Sequence, residues 1–204
     1  EMINIMYDPS QIELPENRLL KMPGYCALFL LEPVFRKQHK FASRLNLSRL
    51  NLSRAERFAL EMLEEVEERS DGYETALLGK LIELIVFLSR SYQKSESTSS
   101  AALLRVGKVI SSMEQDCSQD WKLEDFIEMS HLSRTHFMRT FTKATGLPPI
   151  EYLIQLRLQR AMGMLRNSDM TVSEIAYEVG FNDSNYFTRQ FKKRKKLSPL
   201  AYRK

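Results

Sequence analysis

The second half of the chain contains an internal repeat, which restricts the fold more than any other feature of the sequence. Six residues recur at an offset of 50 positions: Phe137, Arg139, Phe141, Leu147, Pro149 and Tyr152 return as Phe187, Arg189, Phe191, Leu197, Pro199 and Tyr202. Upstream, "LEDFIEMSHLS" at 123–133 matches "VSEIAYEVGFN" at 172–182 at an offset of 49. So many identities at one offset indicate two copies of one supersecondary unit.

Each copy is predicted to form a short helix, a tight turn and a second helix. In the second copy, Thr171 and Glu174 have the spacing of a capping box, and Gly180 is expected to end the first helix in a left-handed conformation. Asn182 is predicted to cap the next helix, and Ser133 is predicted to cap its counterpart in the first copy. The apolar residues of the first helix, which should face inward, are Val172, Ile175, Ala176 and Val179. This pattern is typical of a helix-turn-helix motif.

The second helix of each copy has two contrasting faces. Phe187 and Phe191 lie about 40° apart on a helical wheel, and Arg189 lies opposite them. An outward face of this kind suits the major groove of DNA, because Arg reads guanine and Asn reads adenine. The predicted base-contacting residues are Thr135, Met138, Arg139, Ser184, Asn185, Thr188 and Arg189. The predicted phosphate-contacting residues are Ser133, Arg134, Thr142, Asn182, Lys192 and Lys193. An amphipathic helix that only faces solvent, with no role in DNA binding, would explain the polar face of either copy alone. It explains the same face in two copies in register less well.

Residues 148–168 are predicted to form one helix between the two motifs, with Pro149 in its first turn. Its length would place two recognition helices about 34 Å apart, which is one turn of DNA. One chain is therefore expected to read two successive major grooves.

Charge is unevenly distributed and favours a polyanionic partner for the second half. Residues 1–100 hold 13 Lys and Arg against 15 Asp and Glu, whereas residues 101–204 hold 17 against 11. The second half therefore has a net charge of +6 and the first half −2.

The first half is predicted to contain a helical hairpin. Ser53 and Glu56 have the spacing of a capping box before one helix, and a second helix at 73–92 is apolar on several faces. Since one neighbouring helix covers only one side, a second subunit is expected to pack on Leu77, Leu78, Leu81, Ile85 and Leu88.

Residues 93–102 are small and polar and are interpreted as a linker. Residues 1–52, with "GYCALFLLEP" and "FASRLNLSRL", have strand-like content.

The motif A-x-x-x-G-F-x-D-x-x-Y-F-x-x-x-F-K, from Ala176 to Lys192, resembles that of the AraC/XylS family of bacterial transcription regulators. The resemblance covers 101–204 at full length. It is weaker over 1–92, where the chain is similar to the end of a cupin-type sensor and the dimerisation hairpin of sugar-responsive members. One departure is that Lys195 and Lys196 stand where the family usually has an aromatic residue and glycine, and they are expected to add phosphate contacts.

The expected fold is mainly α: two helix-turn-helix motifs and a linker helix at 103–204, a hairpin at 53–92, and a β, cupin-like remnant at 1–52. The resemblance implies a cytoplasmic homodimer that binds promoter DNA, contacts RNA polymerase and responds to a small-molecule effector such as a sugar. No cofactor, membrane segment or enzymatic activity is expected. An alternative function is a protein–protein interaction module that acts through the 53–92 hairpin.

Two other readings of the sequence are less favoured. The "KKRKK" run at 192–196 also fits a nuclear targeting signal or a solvated surface, but its place at the end of a recognition helix favours phosphate contact. The "HLSRTH" segment at 131–136 lacks the Glu and the i, i+4 pairing of a zinc-binding helix.

Cys26 and Cys117 are far apart in the sequence and are expected to be reduced and buried.

Overall fold

The computed structural model describes residues 5–6, 12–33, 45–93 and 98–203. The chain divides into two compact units, Glu1–Ser111 and Ser112–Lys204. No strand occurs among the described residues, and the fold is mainly α, as predicted. None of the helices in these ranges has the length and apolar composition that crossing a bilayer requires.

The first unit is built around a helical hairpin. Helix α1 is Glu16–Leu19, and α2 is Pro23–Tyr25, continued by a π-helical segment at Cys26–Leu31. The hairpin consists of α3, Arg49–Glu68, and α4, Tyr73–Gln93. Helix α5, Thr98–Gln115, begins in this unit.

Helix α3 begins earlier than the capping box at Ser53 suggested. The Ser48 hydroxyl accepts a hydrogen bond from the Asn51 amide at 3.3 Å, so Ser48 is the N-cap and Ser53 lies inside the helix. At the other end, Arg69 adopts a left-handed conformation with φ 48°. The hairpin therefore starts at 49 rather than at 53.

The strand prediction for "GYCALFLLEP" is wrong, because these residues are helical. The aliphatic content suited a strand, but Cys26, Ala27 and Leu31 are buried at helical spacing. Close approach to α4 supports this packing: a Cβ on Gly24 would lie 2.0 Å from the Ser89 carbonyl oxygen. In the second segment with strand-like content, residues 41–44 lie outside the described residues and residues 49–50 belong to α3. The described part of 1–52 therefore gives no support to a β remnant.

The faces of α4 that carry Leu81 and Ile85 are covered by the same chain. Leu81 and Ile85 are only 6% and 4% exposed, in a core cluster with Leu19 of α1 and Met62 of α3. The other predicted dimer residues, Leu77, Leu78 and Leu88, are half-buried. Further along α4, Tyr92 donates a hydrogen bond to Glu32 Oε1 at 2.7 Å. Sequence reasoning assigned the remaining sides of α4 to a partner because it did not predict helices at 16–31.

The predicted linker is helical over part of its length. Residues 94–97 lie outside the described residues, but α5 already begins at Thr98. Small residues such as Ser and Ala, which suggested a flexible linker, are also compatible with a helix that continues into the apolar stretch at 103–110.

The second unit contains the two predicted helix-turn-helix motifs. The first motif comprises α6, Leu123–Ser130, and α7, Arg134–Thr145. A long helix α8, Pro149–Asn167, follows with Pro149 in its first turn, as predicted. The second motif comprises α9, Val172–Glu178, and α10, Ser184–Lys195, and the short helix α11, Pro199–Arg203, closes the unit.

The sequence repeat is reproduced as a repeat of packing. Phe137 and Phe141 are fully buried with ring centroids 5.6 Å apart, and Tyr152 meets Phe141 edge-on at 5.6 Å. In the second copy, Phe187 and Phe191 are fully buried 5.7 Å apart, and Tyr202 meets Phe191 edge-on at 5.5 Å. Each recognition helix is therefore anchored by the same three aromatic residues. Their edge-on contacts have one of the geometries that aromatic pairs prefer.

The end of each recognition helix adopts a left-handed conformation, but only one copy has glycine there. Gly146, after α7, has φ 75°, and Lys196, after α10, has φ 62°. A non-glycine residue in this region is strained by about 1–2 kcal/mol, whereas glycine at the same position loses about 0.5–1 kcal/mol of chain entropy.

We expect Lys196→Gly to raise the free energy of unfolding by about 0.5–1 kcal/mol, because relief of strain exceeds the entropic loss. Urea denaturation followed by Trp121 fluorescence measures the change, since Trp121 lies in this unit and is the single tryptophan of the chain. Lys195→Gly is the matched control and should instead destabilise by about 0.5–1 kcal/mol, because Lys195 is the last residue of α10 and glycine loses chain entropy there without relieving strain. An equal loss of unfolding free energy in both variants would contradict the inferred backbone strain at Lys196.

Candidate nucleic-acid interface

The turn of each motif is fixed by local hydrogen bonds and backbone conformation. At the start of α9, Thr171 Oγ1 accepts from the Glu174 amide at 3.2 Å, and Glu174 Oε2 accepts from the Thr171 amide at 2.7 Å. This second hydrogen bond lowers the pKa of Glu174. Gly180 follows α9 with φ 96°, and His131 holds the equivalent place in the first motif with φ 49°. The predicted capping box and the left-handed Gly180 are both confirmed.

The caps of the two recognition helices differ slightly from the prediction. Ser133 caps α7, as predicted, by accepting a hydrogen bond from the His136 amide at 3.4 Å. For α10 the cap is Asp183, which accepts from the Asn185 amide at 2.7 Å, and not Asn182. Either side chain suits an N-cap, so the residue types alone did not distinguish the two positions.

The two arginines of the predicted base-contacting set, Arg139 of α7 and Arg189 of α10, lie opposite the buried phenylalanines of their helices. Thr135 and Arg139 of α7 are exposed, as are Asn185 and Arg189 of α10. The half-buried residues of the set are Met138, Ser184 and Thr188. The Arg189 guanidinium lies 5.8 Å from the centre of the Tyr186 ring, a cation–π contact that holds it on the exposed side. Within the described residues, neither Arg139 nor Arg189 forms an ion pair.

The predicted phosphate-contacting residues form a more varied group. Lys192 and Lys193 are exposed near the end of α10, and Thr142 is half-buried. Arg134 is exposed but forms an ion pair with Glu124 at 3.2 Å. Asn182 is exposed, and its Nδ2 lies 3.5 Å from Asp120 Oδ1. The structure therefore leaves all of them at least partly accessible, although Ser133, Arg134 and Asn182 already have partners.

The "KKRKK" run does not present five equivalent cations. Arg194 bonds to Glu151 of α8 and to Gln190, so it fastens α10 to the linker helix. The exposed members of the run are Lys192, Lys193, Lys195 and Lys196. Since they lie at the carboxyl end of α10, they also interact favourably with the helix dipole in the absence of a ligand.

Two residues escaped the sequence-based assignment. Lys143 is the counterpart of Lys193 at the 50-residue offset, so the repeat itself was the signal that could have identified it. Arg157, on α8, donates to two carbonyl oxygens of the loop before the first motif. Its distant backbone partners leave no pattern in the sequence.

Metal chemistry has no visible donor set in the described part of the chain. No group of three or more His, Cys, Asp or Glu side chains there could hold a metal ion. His131 and His136 are both exposed at the first motif. His131 instead supplies the left-handed residue of the turn.

Comparison with known proteins gives one domain-family match, which lies within the second unit, and several curated relatives. A helix-turn-helix domain family matches residues 127–204. The transcriptional activator RhaR of Mannheimia succiniciproducens is 30% identical over 141 residues, covering 68% of this chain and 51% of the relative. The transcriptional activator RhaS of Salmonella paratyphi B is 32% identical over 142 residues, covering 68% and 50%. The chain thus spans about half the length of the curated relatives it matches.

Two solved structures are similar to this chain in sequence: a DNA-binding domain and the carboxyl-terminal domain of a response regulator. The DNA-binding domain of AdpA, solved in complex with a target DNA, is 30% identical, with a TM-score of 0.46 over 48% of this chain and 89% of that one. The carboxyl-terminal domain of the response regulator yesN from Fusobacterium nucleatum is 32% identical, with a TM-score of 0.45 over 47% and 94%.

Two helix-turn-helix motifs on either side of one long helix, each with an exposed polar recognition face, define a tandem helix-turn-helix domain. The matching family and the regulators RhaR and RhaS agree with that class. The second unit is thus an AraC-type helix-turn-helix domain, and the chain is similar to HTH-type transcriptional activators that contain such a domain.

Proposed function

We propose that this chain binds promoter DNA sequence-specifically and regulates transcription, with α7 and α10 in two successive major grooves. The observation that carries the proposal is the pair of matched recognition helices, each anchored by the same aromatic trio and each presenting an arginine at the centre of its exposed face. A face with Arg, Asn, Thr and Ser offers the donors and acceptors that distinguish base pairs in the major groove.

Roles are proposed for individual residues from their positions on that face. Base edges are contacted by Thr135, Met138, Arg139, Ser184, Asn185, Thr188 and Arg189. Phosphates are contacted by Ser133, Arg134, Thr142, Asn182, Lys192 and Lys193. Arg134 would exchange Glu124 for a phosphate, and this exchange is favourable because the present ion pair is exposed and worth little.

The charge component of binding is tested by salt dependence. We expect the apparent association constant for promoter DNA to fall steeply with salt, because bound lysines and arginines displace counterions from the phosphates. Lys193→Ala should weaken binding to all sequences similarly and lower the slope of log K against log[salt] by about one. Fluorescence anisotropy of labelled duplexes over a range of salt concentrations measures both quantities.

Lys108→Ala is the control for that experiment, because Lys108 is exposed but lies outside the Ser112–Lys204 unit. Its slope should equal that of the wild type. An unchanged slope in Lys193→Ala would contradict the phosphate role. A wild-type protein without appreciable salt dependence would favour the alternative, a protein–protein interaction module that acts through the hairpin.

The remaining partners are proposed from the resemblance to the AraC/XylS family. We propose a homodimer that contacts RNA polymerase, responds to a small-molecule effector such as a sugar in the full-length protein, and works in the cytoplasm without enzymatic activity. Dimerisation through the hairpin would use the accessible side chains of α3 and α4, since Leu81 and Ile85 lie in the intrachain core. The exposed apolar residues of α3 available for it are Leu50, Leu52, Leu60, Leu63 and Val66. Residues 1–48 are proposed as the end of the sensor domain, since the hairpin begins at Arg49 rather than at 53.

A further inference from the structure

The loop at 116–122, between α5 and α6, touches three parts of the second unit at once. It leads directly into the first motif, where the Trp121 ring lies 5.4 Å from Phe126 of α6. Its own shape is stabilised by Asp116, which accepts hydrogen bonds from the amide and the hydroxyl of Ser118 at 3.0 and 2.6 Å. These hydrogen bonds lower the pKa of Asp116 and keep it charged. The loop is thus an ordered element.

The linker helix holds this loop through one side chain, Arg157. The guanidinium donates to the carbonyl oxygens of Cys117 at 2.7 Å and of Gln119 at 2.8 Å. It also lies 5.7 Å from the centre of the Phe181 ring, in the turn of the second motif. Burial lowers the pKa of Arg157, while the neighbouring Asp120 and Asp116 carboxylates oppose that effect. Arg157 therefore bridges the loop and the second motif.

The loop also contacts the turn of the second motif directly. A Cβ on Gly180 would lie 2.5 Å from the Ser118 carbonyl oxygen, so the two backbones approach as closely as glycine allows. Next to this contact, Asn182 Nδ2 lies 3.5 Å from Asp120 Oδ1. The first motif is therefore connected to the second through the loop as well as through α8.

We propose that Arg157 is a positioning residue that fixes the two recognition helices at one spacing and orientation by fastening the 116–122 loop to the turn at Gly180–Asn182. This inference rests on the proposed function. Each motif would bind one half of the DNA site, called a half-site. If the two motifs are held rigidly, binding both half-sites costs little additional conformational entropy, but the protein then tolerates only one spacing between the half-sites. Loss of Arg157 should free the loop and broaden the range of tolerated spacings.

The experiment uses the whole chain and a duplex selected by the wild-type protein from randomised DNA. Three further duplexes carry one inserted base pair between the half-sites, one deleted base pair, or one scrambled half-site. Because one base pair moves the second half-site by about 3.4 Å and rotates it by about 34°, the wild type should lose roughly tenfold in affinity on either altered spacing. Arg157→Ala should lose less than about threefold there, while its affinity for the duplex with one intact half-site stays within about twofold of the wild type.

Two controls separate positioning from general loss of structure. Arg160→Ala removes the same charge from an exposed position of α8 and only a through-space attraction to Asp116, so it should keep the spacing preference of the wild type. Arg157→Lys retains the charge but provides one donor group for two carbonyl oxygens, so it should restore the preference only in part. Trp121 emission should change in Arg157→Ala while the helical circular dichroism is retained, because Trp121 lies in the loop and donates to the Asp116 carbonyl at 2.8 Å.

The milder variant Asp120→Ala covers the case in which Arg157→Ala does not fold. It removes the exposed contact to Asn182 and one of the carboxylates that neighbour Arg157, and it should relax the spacing preference in the same direction by a smaller factor. If the wild type reads two half-sites and both variants keep its spacing ratio, the positioning role of Arg157 is overturned and the proposed function stands. If the wild type shows no sequence preference at all, the proposed function fails, and the inference fails with it.

Discussion

Replacing Phe187 with alanine is expected to lower the free energy of unfolding of the Ser112–Lys204 unit by about 3–5 kcal/mol. Phe187 is fully buried, and its ring centroid lies 5.2 Å from Phe181 and 5.7 Å from Phe191. The substitution removes a large apolar side chain from the middle of this cluster and leaves a cavity. Helix α10 is held in place by that cluster, so the recognition face should lose its orientation as well.

Trp121 fluorescence during urea denaturation measures the change in this unit alone, which matters because a chain with two units need not unfold in one step. Tyr186→Ala is the matched control: Tyr186 precedes Phe187, is 37% exposed, and should cost less than about 1 kcal/mol. Phe137→Ala tests the same position of the first motif and should resemble Phe187→Ala. A loss below about 1 kcal/mol in Phe187→Ala would contradict the assignment of this residue to the core.

The second unit was predictable because its sequence contains the same pattern twice. The 50-residue offset predicted the buried pairs Phe137 with Phe141 and Phe187 with Phe191, and the structure confirms both. The predicted capping box at Thr171 was also correct, since both of its hydrogen bonds are local in sequence. The error at Asn182 shows the limit of such reasoning: neighbouring Asn and Asp are both good caps, and only the backbone conformation selects Asp183.

The first unit was less predictable because its structure depends on tertiary contacts. "GYCALFLLEP" contains residues that suit a buried strand or a buried helix, and short apolar runs do not distinguish the two. The contact of Gly24 with the Ser89 backbone favours the helix, but it joins residues 65 positions apart. The same ambiguity produced the dimer prediction for Leu81 and Ile85, because apolar residues facing their own chain and those facing a second copy have the same sequence pattern. Arg157 was missed for a related reason: its partners are carbonyl oxygens, which every residue has.

Replacing Arg189 with alanine is expected to weaken binding to the preferred site by about 1–3 kcal/mol and to relax the preference at one base position. Arg189 is exposed at the centre of the α10 face, and its contact with the Tyr186 ring restrains the guanidinium without neutralising it. A guanidinium held in this way can donate two hydrogen bonds to O6 and N7 of guanine. The effect therefore depends on which base faces it.

Binding to a library of operators randomised at each position distinguishes base reading from simple attraction. For Arg189→Ala the discrimination should disappear at one position, and the affinity for unrelated DNA should change far less. Arg139→Ala is the counterpart in α7, which is exposed at the equivalent place, and it should relax a different position about one helical turn away. Lys193→Ala provides the comparison, since a phosphate contact lowers affinity for every sequence alike. If Arg189→Ala lowered affinity equally for all operators, the base-reading role would be wrong and only a phosphate role would remain for this residue.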